Sequence, residues 1–444
     1  MEHILRNIKK YNLIKSGETV AVACSGGKDS MALLHYLWNN RKEIGCNVVA
    51  VNIDHSIREN SADDSNFVKN FCKKNGIEIY SFRVNATQFA EDNKLSIEQA
   101  ARECRYKVFE GVVAKGIATK VALAHHLQDQ AETILLNLFR GTGIAGASGM
   151  DYIRDGIFIR PMLNTAQTAI MAYMGSNEIP FVEDETNADD EYNRNYIRNK
   201  IMPLIRSRWQ GVDKSLANFG NNCREDEKYI QSTISTDSII VEDGLARVNA
   251  NYFVYPDSYV FRLILTALKK IGVTTNIETK HLKMIKSMAV EAENGTKISL
   301  VNGISVIKEY NFITFTNRRI KANHKKYKFT KGKLDISGFG LIDTVTTRKF
   351  EVDKYTHLID AGKLPKTAEW RFRKDGDIFE KFGGGTKSLS DYLIDKKVPV
   401  RLRATTPVLA DGNEILIIAG VEISKKLKVD KETKVAYGIT VKRF

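Results

Sequence analysis

Ser25-Gly26-Gly27-Lys28-Asp29-Ser30 is the stretch of this chain whose residue types and spacing are best suited to chemistry. Two adjacent glycines let the backbone approach an anion with no Cβ in the way, and Ser25 and Ser30 add hydroxyl donors. Residues 19–24 before it are a short β-branched apolar run, and Met31, Ala32, Leu34, Leu37 and Trp38 recur after it at near-helical spacing. The pattern is strand, tight loop, helix, and the unpaired N–H groups that open such a helix point at negative charge. The loop therefore suits a polyphosphate. It is not a Walker loop, because Asp29 follows Gly27-Lys28 and no glycine stands five residues before Gly27. Asp29 repels bare phosphate unless a divalent cation bridges the two, so Mg²⁺ on Asp29 is implied. Ordinary loops also carry Ser-Gly-Gly and a charge, so the rest of the chain has to decide.

Further polar residues gather where apolar runs end. Residues 47–54 form a second strand, followed by Asp54-His55-Ser56-Ile57-Arg58 at the carboxyl end, where doubly wound sheets bind ligands. His55 and Arg58 are thereby site candidates. Residues 121–124 form another strand that runs into His125-His126-Leu127-Gln128-Asp129-Gln130-Ala131-Glu132-Thr133. His125 and Asp129 stand four apart, so a helix beginning here puts both on one face. Such a pair also serves to cap a helix, and both uses stay open. Arg102 and Arg105, three apart, either clamp phosphates or form a solvated stripe.

The elements that must position these residues alternate in type. A helix over 62–75, a strand over 78–84 and a helix over 96–115 complete the series. Strands alternating with helices predict an α/β domain built on a doubly wound parallel sheet, covered on both faces. The run from Arg140 to Gly146 contains a formal G-x-G-x-x-G, but it follows the helical stretch 133–139 instead of leaving a strand. It predicts a loop closing over the site, not a dinucleotide fingerprint.

A chain of 444 residues has length for two or three domains. No apolar run is long enough to span a membrane, and residues 1–14 read as a charged amphipathic helix; a cytoplasmic enzyme is expected. Cys24, Cys46, Cys72, Cys104 and Cys223 are odd in number, with no C-x-x-C pair, which predicts neither a disulfide framework nor a zinc site. Cys24 is either a nucleophile or a small buried residue ending a strand. The net charge of +14 is unevenly spread: residues 1–200 hold 24 Lys+Arg against 25 Asp+Glu, and residues 201–444 hold 43 against 28. The basic second half suits a polyanion larger than a nucleotide, with a merely soluble basic surface as the competing explanation.

Within that half, residues 206–317 mix helical stretches with short strands near 298–300 and 313–315. Residues 318–333 carry eight Lys+Arg and no acid, and read as a linker or a phosphate-facing arm. Basic and glycine-rich strings at 371–377, 383–389 and 397–403 mark the last part of the chain.

Residues 25–30 resemble the Ser-Gly-Gly-X-Asp-Ser signature of the PP-loop ATP pyrophosphatases, with Lys28 at the variable position. Taken in order, residues 25–30, 55–58, 101–106, 125–133, 140–143 and 183–198, with the C-terminal strings, resemble the tRNA(Ile)-lysidine synthetases over most of the chain. Residues 206–368 are the least distinctive. One departure is Gln128, where that family usually has the first of two aspartates.

The resemblance implies a PP-loop catalytic domain over 1–205, a mostly helical tRNA-binding domain over 206–317, a basic linker over 318–334 and a C-terminal tRNA-recognition domain over 335–444. It implies a carbon–nitrogen ligase that adenylates the wobble cytidine, position 34, of tRNA(Ile) with a CAU anticodon, and then replaces AMP by L-lysine to form lysidine. ATP would be the substrate and Mg²⁺ the cofactor, with Ser25, Gly26, Gly27, Lys28, Asp29 and Ser30 at the nucleotide. Arg105, with Arg102, would stabilise the transferring phosphoryl group, and His125 and Asp129 would position lysine or accept its proton. His55, Arg58, Arg140 and Arg194 are further active-site candidates. No membrane is involved, and a homodimer is compatible with this picture. Two alternatives stand beside it: a tRNA thiolation enzyme of the same superfamily, which the scattered cysteines argue against, and a tRNA-binding protein with an inactive nucleotide site.

Overall fold

The computed structural model describes all residues except Glu2, 55–60, 183–192, Asp243, 275–276, 301–302, 318–324, Gly338, 348–355 and Phe444. The chain divides into two compact units, Met1–Tyr229 and Ile230–Phe444.

The first unit is built on a six-stranded sheet of β1 (Thr19–Ala23), β2 (Asn47–Asp54), β3 (Glu78–Arg83), β4 (Lys120–Ala122), β5 (Ile153–Arg154) and β6 (Phe158–Ile159), in the order β3-β2-β1-β4-β6-β5. All pairings are parallel except that of β5 with β6. The alternation of side chains explains why both faces are covered. Val20 and Val22 of β1 and Val48 and Ala50 of β2 join one core. Ala21, Val49 and Val51, one residue out of phase, join the other.

The helices supply the two covers. Leu33 and Leu37 of α2 (Lys28–Ile44), Ile4 and Ile8 of α1 (His3–Lys10) and Val68 of α3 (Ser61–Asn75) fill the first core. After α4 (Ala86–Asn93), Phe109 and Val112 of α5 (Ile97–Ala114) fill the second. The doubly wound sheet expected from the alternation of elements is therefore present, with one antiparallel strand added at its edge.

The remaining helices of this unit are α6 (Leu127–Phe139), α7 (Ile144–Ala147), α8 (Gln167–Ser176), α9 (Asn193–Tyr196), α10 (Met202–Arg208) and α11 (Val212–Thr233). A π-helical turn, Ile197–Ile201, joins α9 to α10. Pro203 accounts for it: the ring has no N–H for the carbonyl of Asn199 and crowds it, so the chain widens by a residue there. The unit runs past the expected boundary at residue 205 because α11 is tied to it. Arg224 donates to Asp151 at 2.7 Å and to the carbonyls of Ser148 at 2.6 Å and Met150 at 2.8 Å.

In the second unit, β7 (Ile239–Glu242), β8 (Leu245–Asn249), β9 (Lys297–Ser299), β10 (Ser305–Glu309) and β11 (Phe312–Thr316) form an antiparallel sheet. Leu263, Ile264, Ala267 and Leu268 of α12 (Asp257–Lys270), with Leu282 and Ile285 of α13 (Thr279–Glu291), pack in its core. Within 206–317 the long helices α11, α12 and α13 hold more residues than the five strands, which are each of five residues or fewer and too short to stand out in the sequence beside the helices.

Two further sheets complete the chain. One contains strands Tyr327–Lys328, Glu369–Phe372, Pro407–Asp411, Glu414–Ile418, Glu422–Ile423, Ile378–Glu380 and Thr386–Ser388. The other contains Gly332–Ile336, Gly340–Thr347, Ala436–Arg443 and Thr356–Asp360. Within the described end of the basic stretch at 318–334, Tyr327–Lys328 joins the first of these sheets and the strand from Gly332 the second. No helix among the described residues is long and apolar enough to cross a membrane.

Candidate active site

The loop after β1 is held from behind. Asn52 donates to the carbonyl of Cys24 at 2.9 Å, Ser65 supports Asn52 at 2.6 Å, and Val182 N–H bonds the carbonyl of Gly26 at 3.0 Å. Gly26 has φ +93°, a conformation that glycine adopts freely. Ser30 is buried and donates to the carbonyl of Gly27 at 2.9 Å while accepting from Ser25 N–H at 3.2 Å. Gly27 precedes α2 with no side chain on the first-turn donors, so the N–H groups of Lys28, Asp29 and Ser30 lack intrahelical acceptors. An anion-binding helix end is built here. Cys24 is not its nucleophile: burial pushes the thiol up to about 11.

Next to β1 in the sheet, β4 ends at Ala122 and α6 starts at Leu127. His126 is the N-cap, in extended conformation, with Nδ1 accepting from Gln128 N–H at 3.2 Å; Asp129 returns the bond to His126 N–H at 3.0 Å. This capping box corrects the expectation that His125 and Asp129 share a helical face: His125 lies before the helix. It is His126 Nε2 that stands 3.7 Å from Asp29 and 3.6 Å from Asp129. The ring of His125 is packed instead, with Nδ1 covered and unpartnered among the described residues. Burial pushes His125 down to about 3, against Asp129 and with help from Arg160, Arg194 and Arg102, so the imidazole is neutral at pH 7.

Asp129 faces α9 and the π-helical turn with its other oxygen. Its Oδ1 accepts from Arg198 at 2.6 Å and from Arg194 at 3.1 Å. Glu132, one turn along α6 and buried, accepts from Arg198 at 2.8 Å and lies 3.7 Å from Arg194. Burial alone pushes Asp129 up, but His126, Arg194, His125 and Arg198 together hold it at about 2. Burial pushes Asp29 above the ordinary carboxylate range, and Asp129 adds to that, against His126, Lys28 and Arg198. Asp29 Oδ1 is buried without a hydrogen-bond partner among the described residues.

The structure thus brings together Ser25, Gly26, Gly27, Lys28, Asp29, Ser30, Asp129 and Arg194, with His125 beside them. Arg102 is near enough for its charge to act on His125, with its guanidinium 5.2 Å from the Tyr106 ring. Burial pushes the Arg105 guanidinium below its ordinary range, with Tyr106, Arg102 and Glu98 as the groups that act most on it. Arg140 caps the far end of α6, about 16 Å along the helix from Asp129. The glycine run after it follows a helix, which agrees with its rejection as a dinucleotide fingerprint. His55, Arg58 and residues 183–187 lie outside the described residues. His126, Glu132 and Arg198 join the site without having been singled out; the spacing of Glu132 from Asp129 and of Arg198 from Arg194 was the available signal.

A glycine loop at the carboxyl end of β1, facing ionised groups at the neighbouring end of β4, defines a nucleotide-handling PP-loop enzyme. Residues 1–205 match the PP-loop domain family, and residues 368–437 match the TilS substrate C-terminal domain. The chain is 34% identical to the tRNA(Ile)-lysidine synthase of Clostridium tetani, over 97% of this chain and 96% of that one. It is 29% identical to that of Clostridioides difficile (98% and 97%) and 31% identical to that of Clostridium acetobutylicum (99% and 99%). The chain belongs to the tRNA(Ile)-lysidine synthase family.

Proposed function

We propose that this chain joins L-lysine to C2 of the wobble cytidine, position 34, of tRNA(Ile) bearing a CAU anticodon, with cleavage of ATP to AMP and pyrophosphate. The observation that carries this is the meeting of two first turns: the open N–H groups and Asp29 of α2 face the His126–Asp129–Glu132 side of α6.

In the first step the cytosine O2 attacks the α-phosphorus, and pyrophosphate leaves. In the second the lysine ε-nitrogen, having lost a proton, attacks C2, and AMP leaves with the former O2. The ring oxygen cannot leave until it is adenylated, and an ammonium has no lone pair to attack with. Ser25, Gly26, Gly27, Lys28 and Ser30 hold the leaving pyrophosphate, and Arg102 and Arg105 steady charge on the transferring group. Asp129 and Glu132 form the acidic wall for the lysine ammonium, which enters by exchange with the guanidinium groups of Arg194 and Arg198. With His125 held near 3 and Asp129 near 2, these two position lysine and are weak proton acceptors in this arrangement.

Mg²⁺ fits the site in that Asp29 has a buried oxygen without a hydrogen-bond partner among the described residues. Asp29 would hold the cation, which would supply neutralisation of phosphate charge. Residues 1–205 carry the chemistry in this proposal, and residues 206–317 and 335–444 hold the RNA.

The test is transfer of labelled lysine to a tRNA transcript with a CAU anticodon. Equal amounts of lysine incorporated and pyrophosphate released are expected. ATP turnover without lysine transfer overturns the proposal, and no turnover at all supports an inactive RNA-binding protein. A sulfur-transfer enzyme is disfavoured because all five cysteines are buried.

A further inference from the structure

Tyr252, Tyr255 and Tyr259 form one ring cluster on the second unit, with centroids 6.4 Å (252–255), 6.5 Å (252–259) and 5.2 Å (255–259) apart. The local sequence builds it as a corner. Asn249 caps the 3-10 turn Ala250–Val254 through a bond from Asn251 N–H at 2.9 Å, and Tyr255 closes that turn on the carbonyl of Tyr252. Pro256 then fixes the entry into α12, and Tyr259 follows one turn later, its N–H on the carbonyl of Pro256 at 3.0 Å. Tyr252 and Tyr259 are half-buried against the core beneath. Tyr255 is 50% exposed, beside Val254 at 72%. A ring supported from two sides by other rings loses little freedom when a flat ligand lies on it.

Beside this corner one lysine stands outside the ion pairs. A groove of about 310 Å³ between α12 and α13 is lined by Asp257, Lys283, Lys286, Ser287, Val290 and Glu291. Asp257 is paired with Lys286 at 2.6 Å, and Glu291 keeps its charge while accepting from Ser287 at 2.8 Å. Lys283 has no ion-pair partner among the described residues, and this half of the chain carries the whole positive excess.

We infer that the tyrosine corner is a stacking platform for an unpaired base of the RNA substrate, with the adjoining phosphate against Lys283. Rings that accept any base beside a cation that tracks the backbone are the components of single-strand RNA binding. The inference rests on the proposed function for the identity of the RNA.

The test uses the full chain and the same tRNA transcript. Tyr255→Ala is expected to weaken tRNA binding about tenfold with kcat unchanged and the salt dependence unaltered, because the lost contact is uncharged. Tyr255→Trp is expected to restore affinity, with quenching of its indole by tRNA beyond that of the parent protein. Lys283→Ala is expected to reduce the slope of log K against log salt by about 1. Unchanged affinity in Tyr255→Ala, at an unchanged melting temperature, overturns the platform. Binding is read apart from lysine transfer, so a chain that binds tRNA through Tyr255 but transfers no lysine refutes the proposed function and leaves the platform standing.

Discussion

His126 Nε2 stands 3.7 Å from the Asp29 carboxylate, and this pair connects the first turn of α6 to the first turn of α2. His126→Ala removes the contact and also the cap, whose loss costs about 1 kcal/mol. Pyrophosphate release is expected to fall about 100-fold, the effect of small misplacements in a reacting site. His126→Asn keeps an N-cap acceptor but is too short to reach Asp29, so its melting temperature should recover and its turnover should not. Recovery of both would make His126 a cap alone.

Gly26 and Gly27 should fail differently. A Cβ at Gly26 meets Val68 at 3.4 Å and Val182 at 3.7 Å, so space is adequate, but φ +93° opposes any side chain. Gly26→Ala is expected to destabilise the first unit by about 1–2 kcal/mol. Gly27, with φ −70°, accepts alanine without strain, and in the proposed site its methyl would stand where phosphate approaches. Gly27→Ala should melt like the parent chain and lose ATP affinity by calorimetry; parental ATP affinity would place the nucleotide elsewhere.

His125 gives the first unit a defined acid sensitivity. The unfolded residue takes up a proton near pH 6.5, whereas burial holds the folded residue neutral down to about 3. Between those values the unfolded chain binds more protons, so stability is full above pH 6.5 and falls as pH drops through the window. Asp129, held at about 2, acts lower, losing its contribution only below about pH 3.8. Urea unfolding from pH 7 to 4.5 should show the decline, and His125→Gln should flatten it. An unchanged slope would mean that His125 charges freely in the folded chain.

In the second unit, Arg371 meets Asp377 in two parallel bonds of 2.7 and 2.8 Å, with both side chains almost wholly buried. Arg371 also serves the carbonyls of Phe372 and Gly412. Removing one partner strands a buried charge, so Arg371→Ala should destabilise this unit by about 3–5 kcal/mol. Arg371→Met with Asp377→Leu should regain most of that loss in denaturant titration. If the single and double variants unfold alike, the pair is not what the fold depends on there.

The sheet of the first unit was legible because its strands are continuous apolar runs ended by turn residues. Asn47–Asp54 matches the expected strand, and Ser96 and Lys115 bracket α5 as its caps. The start of α6 was not legible, because histidine is not a favoured N-cap and the capping box depends on the extended backbone at His126. Gln128 shows a second limit. Its Oε1 accepts from Gln167 N–H at 3.0 Å, so it serves as an acceptor at the start of α8, a contact across 39 residues that no local pattern reveals. Arg371, read as part of a basic string, is a buried structural cation, because charge in a sequence does not say which way a strand's side chains point.

The widened turn at Ile197–Ile201 has a consequence for how this chain can change over time. Loss of one codon there would wind the segment as a regular α-helix and set the Pro203 ring against the carbonyl one turn back, the clash that the wider turn relieves. The wider turn lets one continuous helical segment carry the proline and still set Arg194 and Arg198 against Asp129 and Glu132. Length in this segment is therefore under tighter constraint than its residue identities suggest.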